Sequence, residues 1–153
     1  MKQLKVAVVQ QSCTQNRDEN IAKAVSGIRE GAKKGADLVV LQELHNGVYF
    51  PQSEDDQFFE LAESIPGPST ELFGKLAKEL GVVLTVSLFE KRAPGLYHNT
   101  AVVLEKDGTM VGKYRKTATN RIGVRGAAIR TWISTRWWHW AITTGRCKPS
   151  SVR

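Results

Sequence analysis

From Thr117 to the last residue the chain contains no aspartate or glutamate, although Arg121, Arg125, Arg130, Arg136, Arg146, Lys148 and Arg153 all lie there. Cysteine is nearly absent: Cys13 and Cys147 are the only two, and neither a Cys-x-x-Cys nor a His-Glu-x-x-His pattern occurs. That excludes a disulfide framework and a zinc site of ordinary spacing, and the expectation is reduced thiols. Long apolar runs are missing too. None approaches the roughly 20 residues needed to cross a bilayer, so no membrane partner is expected. The start, "MKQLKVAVVQQ", has too short an apolar stretch for a signal peptide and no small-residue cleavage site, so the expected compartment is the cytoplasm. Tryptophan is absent from the first 116 residues, since Trp132, Trp137, Trp138 and Trp140 all fall in the acid-free part. There is no internal repeat and no low-complexity linker.

What is present is the material of one globular domain. The chain has 153 residues, 41% hydrophobic and 24% charged, which is enough for a packed core and too apolar for disorder. A net charge of +7 would by itself suggest nucleic acid or an anionic membrane as partner. Its location changes that reading. Residues 1–116 hold 15 basic and 15 acidic groups, so the excess belongs to 117–153 alone.

The order of elements in 1–116 is layered α/β. "VAVVQ", Val6 to Gln10, reads as a buried strand. After a polar loop, Ile21, Val25 and Ile28 fall at helical spacing on one face, and Gly35 stops the run. "DLVVLQ", Asp37 to Gln42, is a second buried strand, and strand, helix, strand at this spacing predicts a parallel βαβ unit. "SIPGPST" runs into a helix with Ser69 or Thr70 as its N-cap and Leu72, Leu76 and Leu80 along it. "VVLTVSLFEK" and "NTAVVLEKDG" are further strands, the second turning at Asp107-Gly108 so that "MVGKYRK" pairs back on it.

Two residues stand where chemistry is expected. Glu43 follows the apolar run of the second strand at its carboxyl end, where parallel sheets open their crevices. Strand walls there would strip water from a carboxylate and suit it to the work of a general base; the alternative is a strand-end Glu in solvent. Lys116 ends "GKYRK", and a fixed cation beside a carboxylate stabilises an oxyanion as it develops, though Lys113 and Arg115 are rivals for that role. His45 and His98 read as turn or hydrogen-bonding residues rather than catalysts.

"VAVVQ", "GADLVVLQELHNGVYFPQ", "IPGPST", "LAKELGVVLTVSLFEKR" and "YHNTAVVLEKDGTMVGKYRK", in this order and spacing, resemble the amino-terminal part of a nitrilase-superfamily carbon-nitrogen hydrolase. "QELHNGVYF" and "LYHNTAVV" are most similar to the branch that acts on carbamoylated amines such as N-carbamoylputrescine. The resemblance implies a four-layer α-β-β-α sandwich, a homo-oligomer acting on a small carbamoyl amine or amide, and no metal or organic cofactor. It also implies catalysis by a glutamate, a lysine and a cysteine on three strand ends. Glu43 in "LQELHNG" matches the glutamate and Lys116 in "GKYRK" the lysine. The nucleophilic cysteine, which in the family opens a Cys-Trp-Asp type motif some forty or more residues after the lysine, has no match. Cys147 in "GRCKPSSVR" has no strand before it, and Cys13 belongs to the first strand's exit loop.

The sequence therefore divides into a partial hydrolase domain at 1–116 and an irregular basic tail at 117–153. A reading-frame shift explains why acid disappears just after a family landmark. Tryptophan has a single codon, so "WWHW" in the two other frames reads Gly-Gly-(Ile/Thr)-Gly or Val-Ala-Leu, ordinary strand or turn material. The alternative is a genuine Trp-bearing arm that stacks on bases or neutralises phosphates, making nucleic acid a partner only if the tail is real.

Overall fold

The computed structural model describes residues 3–49 and 56–116, together with the backbone of two strands at 121–124 and 127–130. Strand β1, Val6–Val9, leads through helix α1, Arg17–Lys33, into β2, Leu38–Leu41, which pairs with β1 in parallel, Val6 opposite Leu38. This is the expected βαβ unit. Helix α1 starts where Asn16 accepts the backbone N–H groups of Asp18 and Glu19 on its side-chain oxygen, at 3.0 and 3.2 Å, with two acids in the first turn.

The buried stripe of α1 is Asn20, Ala24, Ile28 and Gly31, with Ile21 and Val25 on its flank rather than at its centre as the spacing predicted. Close approach to the sheet decides this. A Cβ at Gly27 would sit 2.5 Å from Val9 Cγ1, and one at Gly31 would sit 2.9 Å from the Ala7 Cβ, so small residues face the strands.

Helix α2, Pro68–Leu80, is entered through a cis Ile65–Pro66 bond. Its N-cap is Gly67, not Ser69 or Thr70. With Pro68 at the first helical position, where no N–H is needed, Thr70 instead accepts the Gly67 N–H on Oγ1 at 2.8 Å. Phe73, Leu76 and Ala77 are buried, while Leu72 lies exposed on the far side.

Strand β3, Val83–Ala93, joins β2 in parallel and then turns into the long antiparallel partner β4, Leu96–Leu104. β5, Met110–Arg115, pairs back on β4. The turn between them is held against α2 by a backbone contact: a Cβ at Gly74 would lie 2.8 Å from the Gly108 carbonyl oxygen, and one at Gly108 would lie 2.7 Å from that of Gly74. Strands β6, Arg121–Val124, and β7, Ala127–Arg130, form a hairpin that meets the start of β4 at His98. The span expected to be irregular thus carries two short strands; the rest of 117–153 lies outside the described residues.

Burial alternates along every central strand. Val39, Leu41, Leu84, Val86, Leu88, Val102 and Leu104 point at the helices and form the core with Ile28 and Phe73. The other face carries Val8, Val40, Thr85 and Val103 in register across four strands. Among the described residues it is covered only at one end, where Phe58 and Phe59 of the 3-10 helix Asp56–Leu61 pack on Leu44, Phe89 and Tyr97. Val8, expected in a buried strand, is consequently 63% exposed.

Leaving such a face in water forgoes roughly 25 cal/mol for each Å² of apolar surface. The 153-residue chain is therefore expected to bind a hydrophobic dye and to elute as a self-associated species, both effects weakening in Val8→Lys. A sharp cooperative melt from a dye-negative monomer would contradict this.

Candidate active site

Glu43 stands two residues beyond the end of β2, and Lys116 directly follows β5. Seventy-three positions apart in sequence, they meet in space: Lys116 Nζ donates to Glu43 Oε1 at 2.5 Å. The same oxygen accepts the side-chain amide of Asn99, also at 2.5 Å. Alternation explains the meeting. Asn99 and Lys116 lie on the face opposite the helices, and the Lys116 N–H donates to the Asn99 carbonyl at 2.8 Å, so the β4–β5 ladder sets the lysine beside the asparagine.

The enclosure expected for Glu43 is only partial, its side chain being 38% exposed; Lys116 is the more enclosed of the two at 12%. The carboxylate is held by hydrogen bonds more than by strand walls. Both donors converge on Oε1, an arrangement that can hold a cation against a carboxylate while the second oxygen takes up a proton.

Lys113 and Arg115, the sequence rivals of Lys116, turn to the other face. There Arg115 grips the buried carboxylate of Glu90 through Nε and Nη2 at 2.7 Å each, Lys113 Nζ lies 3.6 Å away and Thr100 Oγ1 donates at 2.7 Å. Burial opposes the charge on Glu90, but the Arg115 and Thr100 hydrogen bonds and the two cations outweigh it and hold this carboxyl at about 2.

The loop after Glu43 is anchored from three sides. Leu44, immediately following, sits at φ 52°, a left-handed conformation that a branched side chain rarely adopts, and its N–H donates to Ser87 Oγ at 3.3 Å. Asn46 donates to Ser69 Oγ at 2.8 Å and to Glu63 Oε1 at 3.3 Å, and Asn20 of α1 donates to the Asn46 carbonyl. Arg17 closes the cluster on Glu63 at 3.1 Å. Tyr49, near the end of the loop, has its phenol pushed up by burial and by the charge of Glu43.

His45 lies in the turn after β2, as expected, and is buried there edge-on against Phe73. Burial pushes it down to about 4; the Ser87 backbone favours the charged form, and nearby Arg17 disfavours it. A neutral, enclosed ring is a packing element here. His98 faces Glu90 across the β3–β4 ladder. Cys13 donates to the His45 carbonyl at 3.3 Å and accepts from Gln42 Nε2 at 3.4 Å, part of the packing of the first exit loop. Cys147 lies outside the described residues. Sequence reasoning passed over Asn99, Ser87, Tyr49 and Glu90. Only the period-2 alternation of "SLFE" and "HNTA" around a known strand pair could have placed the first two on the face of Glu43.

The sequence profile of the family described as carbon-nitrogen hydrolase matches residues 5–129. An N-carbamoylputrescine amidase of Oryza sativa subsp. japonica is 45% identical over 113 residues, which is 73% of this chain and 37% of that protein. A citrullinase of Francisella tularensis is 38% identical over 117 residues, 76% of this chain and 41% of that protein. The crystal structure of a carbon-nitrogen hydrolase from Helicobacter pylori G27 superposes with a TM-score of 0.72 at 43% identity, covering 76% of this chain and 40% of that one. The chain thus spans about two fifths of the length of these relatives.

The buried groups beside the site set its response to pH. His45 is held at about 4 against an ordinary 6.5, so it is neutral in the fold where the unfolded chain binds a proton; stability falls as pH drops from 6.5 to 4, by about 3 kcal/mol. Glu90, at about 2 against 4.5, contributes stability present above 4.5 and lost as pH falls toward 2. Denaturant midpoints measured across pH are expected to lose the upper slope in His45→Gln and the lower slope in Glu90→Gln. The second variant is also destabilised at pH 7, because Arg115 loses its partner.

Proposed function

The chain belongs to the carbon-nitrogen hydrolase family, and on that premise we propose that its reaction is thiol-dependent hydrolysis of a non-peptide C–N bond, with N-carbamoylputrescine as substrate. The observation that carries the proposal is the convergence of Lys116 and Asn99 on one oxygen of Glu43 at the strand ends. In this reaction a thiolate adds to the carbamoyl carbon, and the oxyanion that forms lies against the Lys116 ammonium. Ammonia leaves as the carbonyl re-forms, carrying the proton that Glu43 took from the thiol. Glu43 then takes a proton from water, which attacks the thioester-like intermediate and releases the thiolate. One water is consumed, and the carbamic acid that is released breaks its remaining C–N bond to give putrescine and carbon dioxide beside the ammonia already lost. The substrate assignment is supported by the 45% identity to the rice amidase, and the citrullinase relative marks the neighbouring choice of a ureido substrate.

The 153 residues by themselves are proposed not to turn over. Glu43 and Lys116 can activate water and hold an oxyanion but cannot replace a thiolate, and neither Cys13 nor Cys147 matches the family nucleophile. No helix among the described residues is long and apolar enough to cross a membrane; a cytoplasmic location is proposed from the sequence reading, and a homo-oligomer from the resemblance alone. A second reading, a binding protein whose basic arm contacts nucleic acid, draws on the seven cations and four tryptophans of 117–153.

Ammonia release from N-carbamoylputrescine by the purified chain is expected at background; turnover that vanishes in Cys147→Ala would overturn this. The coding DNA re-read in its other frames after codon 116 is expected to reveal Cys-Trp-Asp, and its absence from both would favour the binding reading. In a form extended in that frame, Glu43→Gln and Lys116→Ala are expected to abolish turnover with the fold retained, and Lys113→Ala to be mild.

A further inference from the structure

Ser87 has no place in the chemistry above, yet its hydroxyl is the hinge of a directed chain of hydrogen bonds. The Leu44 N–H donates to Ser87 Oγ at 3.3 Å. Ser87 Oγ in turn donates to Asn99 Oδ1 at 3.2 Å, and Asn99 Nδ2 donates to Glu43 Oε1. Each link fixes the direction of the next. The Glu43 carboxylate can only accept, so it takes the amide nitrogen of Asn99, and the carboxamide oxygen left facing Ser87 draws the hydroxyl's single proton while Oγ accepts from Leu44. Were the carboxamide flipped, its oxygen would face a carboxylate that has no proton to give, and the Asn99–Glu43 hydrogen bond would become a repulsion.

We propose that Ser87 and Asn99 are positioning residues that lock Glu43 in one orientation, committing Oε1 to Lys116 and leaving Oε2 as the oxygen that accepts the proton. The assignment of Oε2 rests on the functional reading given above; the locked geometry does not. Among the described residues Oε2 has no hydrogen-bond partner, whereas Oε1 has two. A carboxylate with both donors on one oxygen retains its full accepting capacity on the other, on the side away from the cation. Asn99 is buried to 6% exposure, which removes water as a competing partner for its amide. The relay also ties the left-handed Leu44 to the side chain of the residue before it, so the backbone conformation and the carboxylate orientation are fixed together.

Zero-length carbodiimide coupling of the full 153-residue chain at high dilution tests this without recourse to turnover. An amide between Glu43 and Lys116 forms only while the carboxylate faces the lysine. The Glu30–Lys34 pair at the end of α1, 2.6 Å apart with Lys34 as the C-cap, gives a reference cross-link in the same digest. In the native chain both cross-linked peptides are expected by mass spectrometry. Ser87→Ala is expected to lower the Glu43–Lys116 product relative to the reference by about fivefold, the population shift one hydrogen bond supplies, and Asn99→Leu to do the same. Ser87→Thr, which keeps the hydroxyl donor, is expected to restore it. A ratio unchanged in Ser87→Ala, or unrestored in Ser87→Thr, would overturn the relay. Should Ser87→Ala lose the reference cross-link as well, Ser87→Cys, which keeps the side-chain shape at slightly larger volume and weakens the donor, carries the same expectation. A native chain that gives only the reference product would refute the Glu43–Lys116 pairing itself. A positive cross-link pattern beside an extended form that is inactive on every ureido or amide substrate would instead leave the relay standing and overturn the functional reading.

Discussion

The buried carboxylate of Glu90 is the constraint on which the far half of the sheet is built. A charge taken almost wholly out of water must be paired, and its partners come from β4, Thr100, and from β5, Arg115 and Lys113. Sliding β5 by one residue along β4 would turn Arg115 to the other face and leave Glu90 without its bidentate partner. The same slip would swing Lys116 away from Glu43. One buried ion pair therefore selects the register that brings together two residues on the opposite side of the sheet. Glu63 reinforces it by lying in a parallel bridge opposite Glu90, its N–H donating to the Phe89 carbonyl and its carbonyl accepting from the Lys91 N–H, and Glu63 in turn holds Asn46 and Arg17 beside the loop that carries Glu43.

Much of this architecture was legible because its strands are short apolar runs between strong punctuation. Val6 to Gln10, Asp37 to Gln42 and the runs after Gly81 could be placed without any contact being known. Helix faces were less legible. The stripe of α1 is set by how closely it approaches β1, which makes Gly27 and Gly31 more central than Ile21, and no periodicity of large residues reveals that. The N-cap of α2 was misplaced because proline and glycine govern that entrance and threonine serves from inside the helix. Glu43 and Lys116 could be singled out by their strand-end positions and by resemblance. Asn99 and Ser87 could not, since their roles depend on which strand lies beside which and on the direction of a single hydroxyl proton.

The acid-free stretch marks where sequence reasoning changed character. Up to Lys116, composition, periodicity and resemblance agree on one answer, the consistency expected of a sequence that specifies its fold. Beyond it the family profile continues to residue 129, across the hairpin of β6 and β7. That hairpin reaches β4 past the end of β5, so one edge of β4 is shared by two strands, β5 over Thr100–Leu104 and β7 at His98.

The contact between α2 and the β4–β5 turn has a consequence for how such a sequence can drift. Gly74 and Gly108 each occupy the space that a side chain on the other would need, with the nearest atoms on both sides belonging to the backbone. Neighbouring core positions commonly exchange volume, one shrinking as the other grows. Here neither partner has volume to give up, and a carbonyl oxygen cannot be trimmed by substitution elsewhere. The pair is thus closed to compensatory exchange: each position is held at glycine by a neighbour that is already as small as a residue can be. The turn that aligns β5, and with it Lys116, is tied to the one helix against which it cannot be repacked.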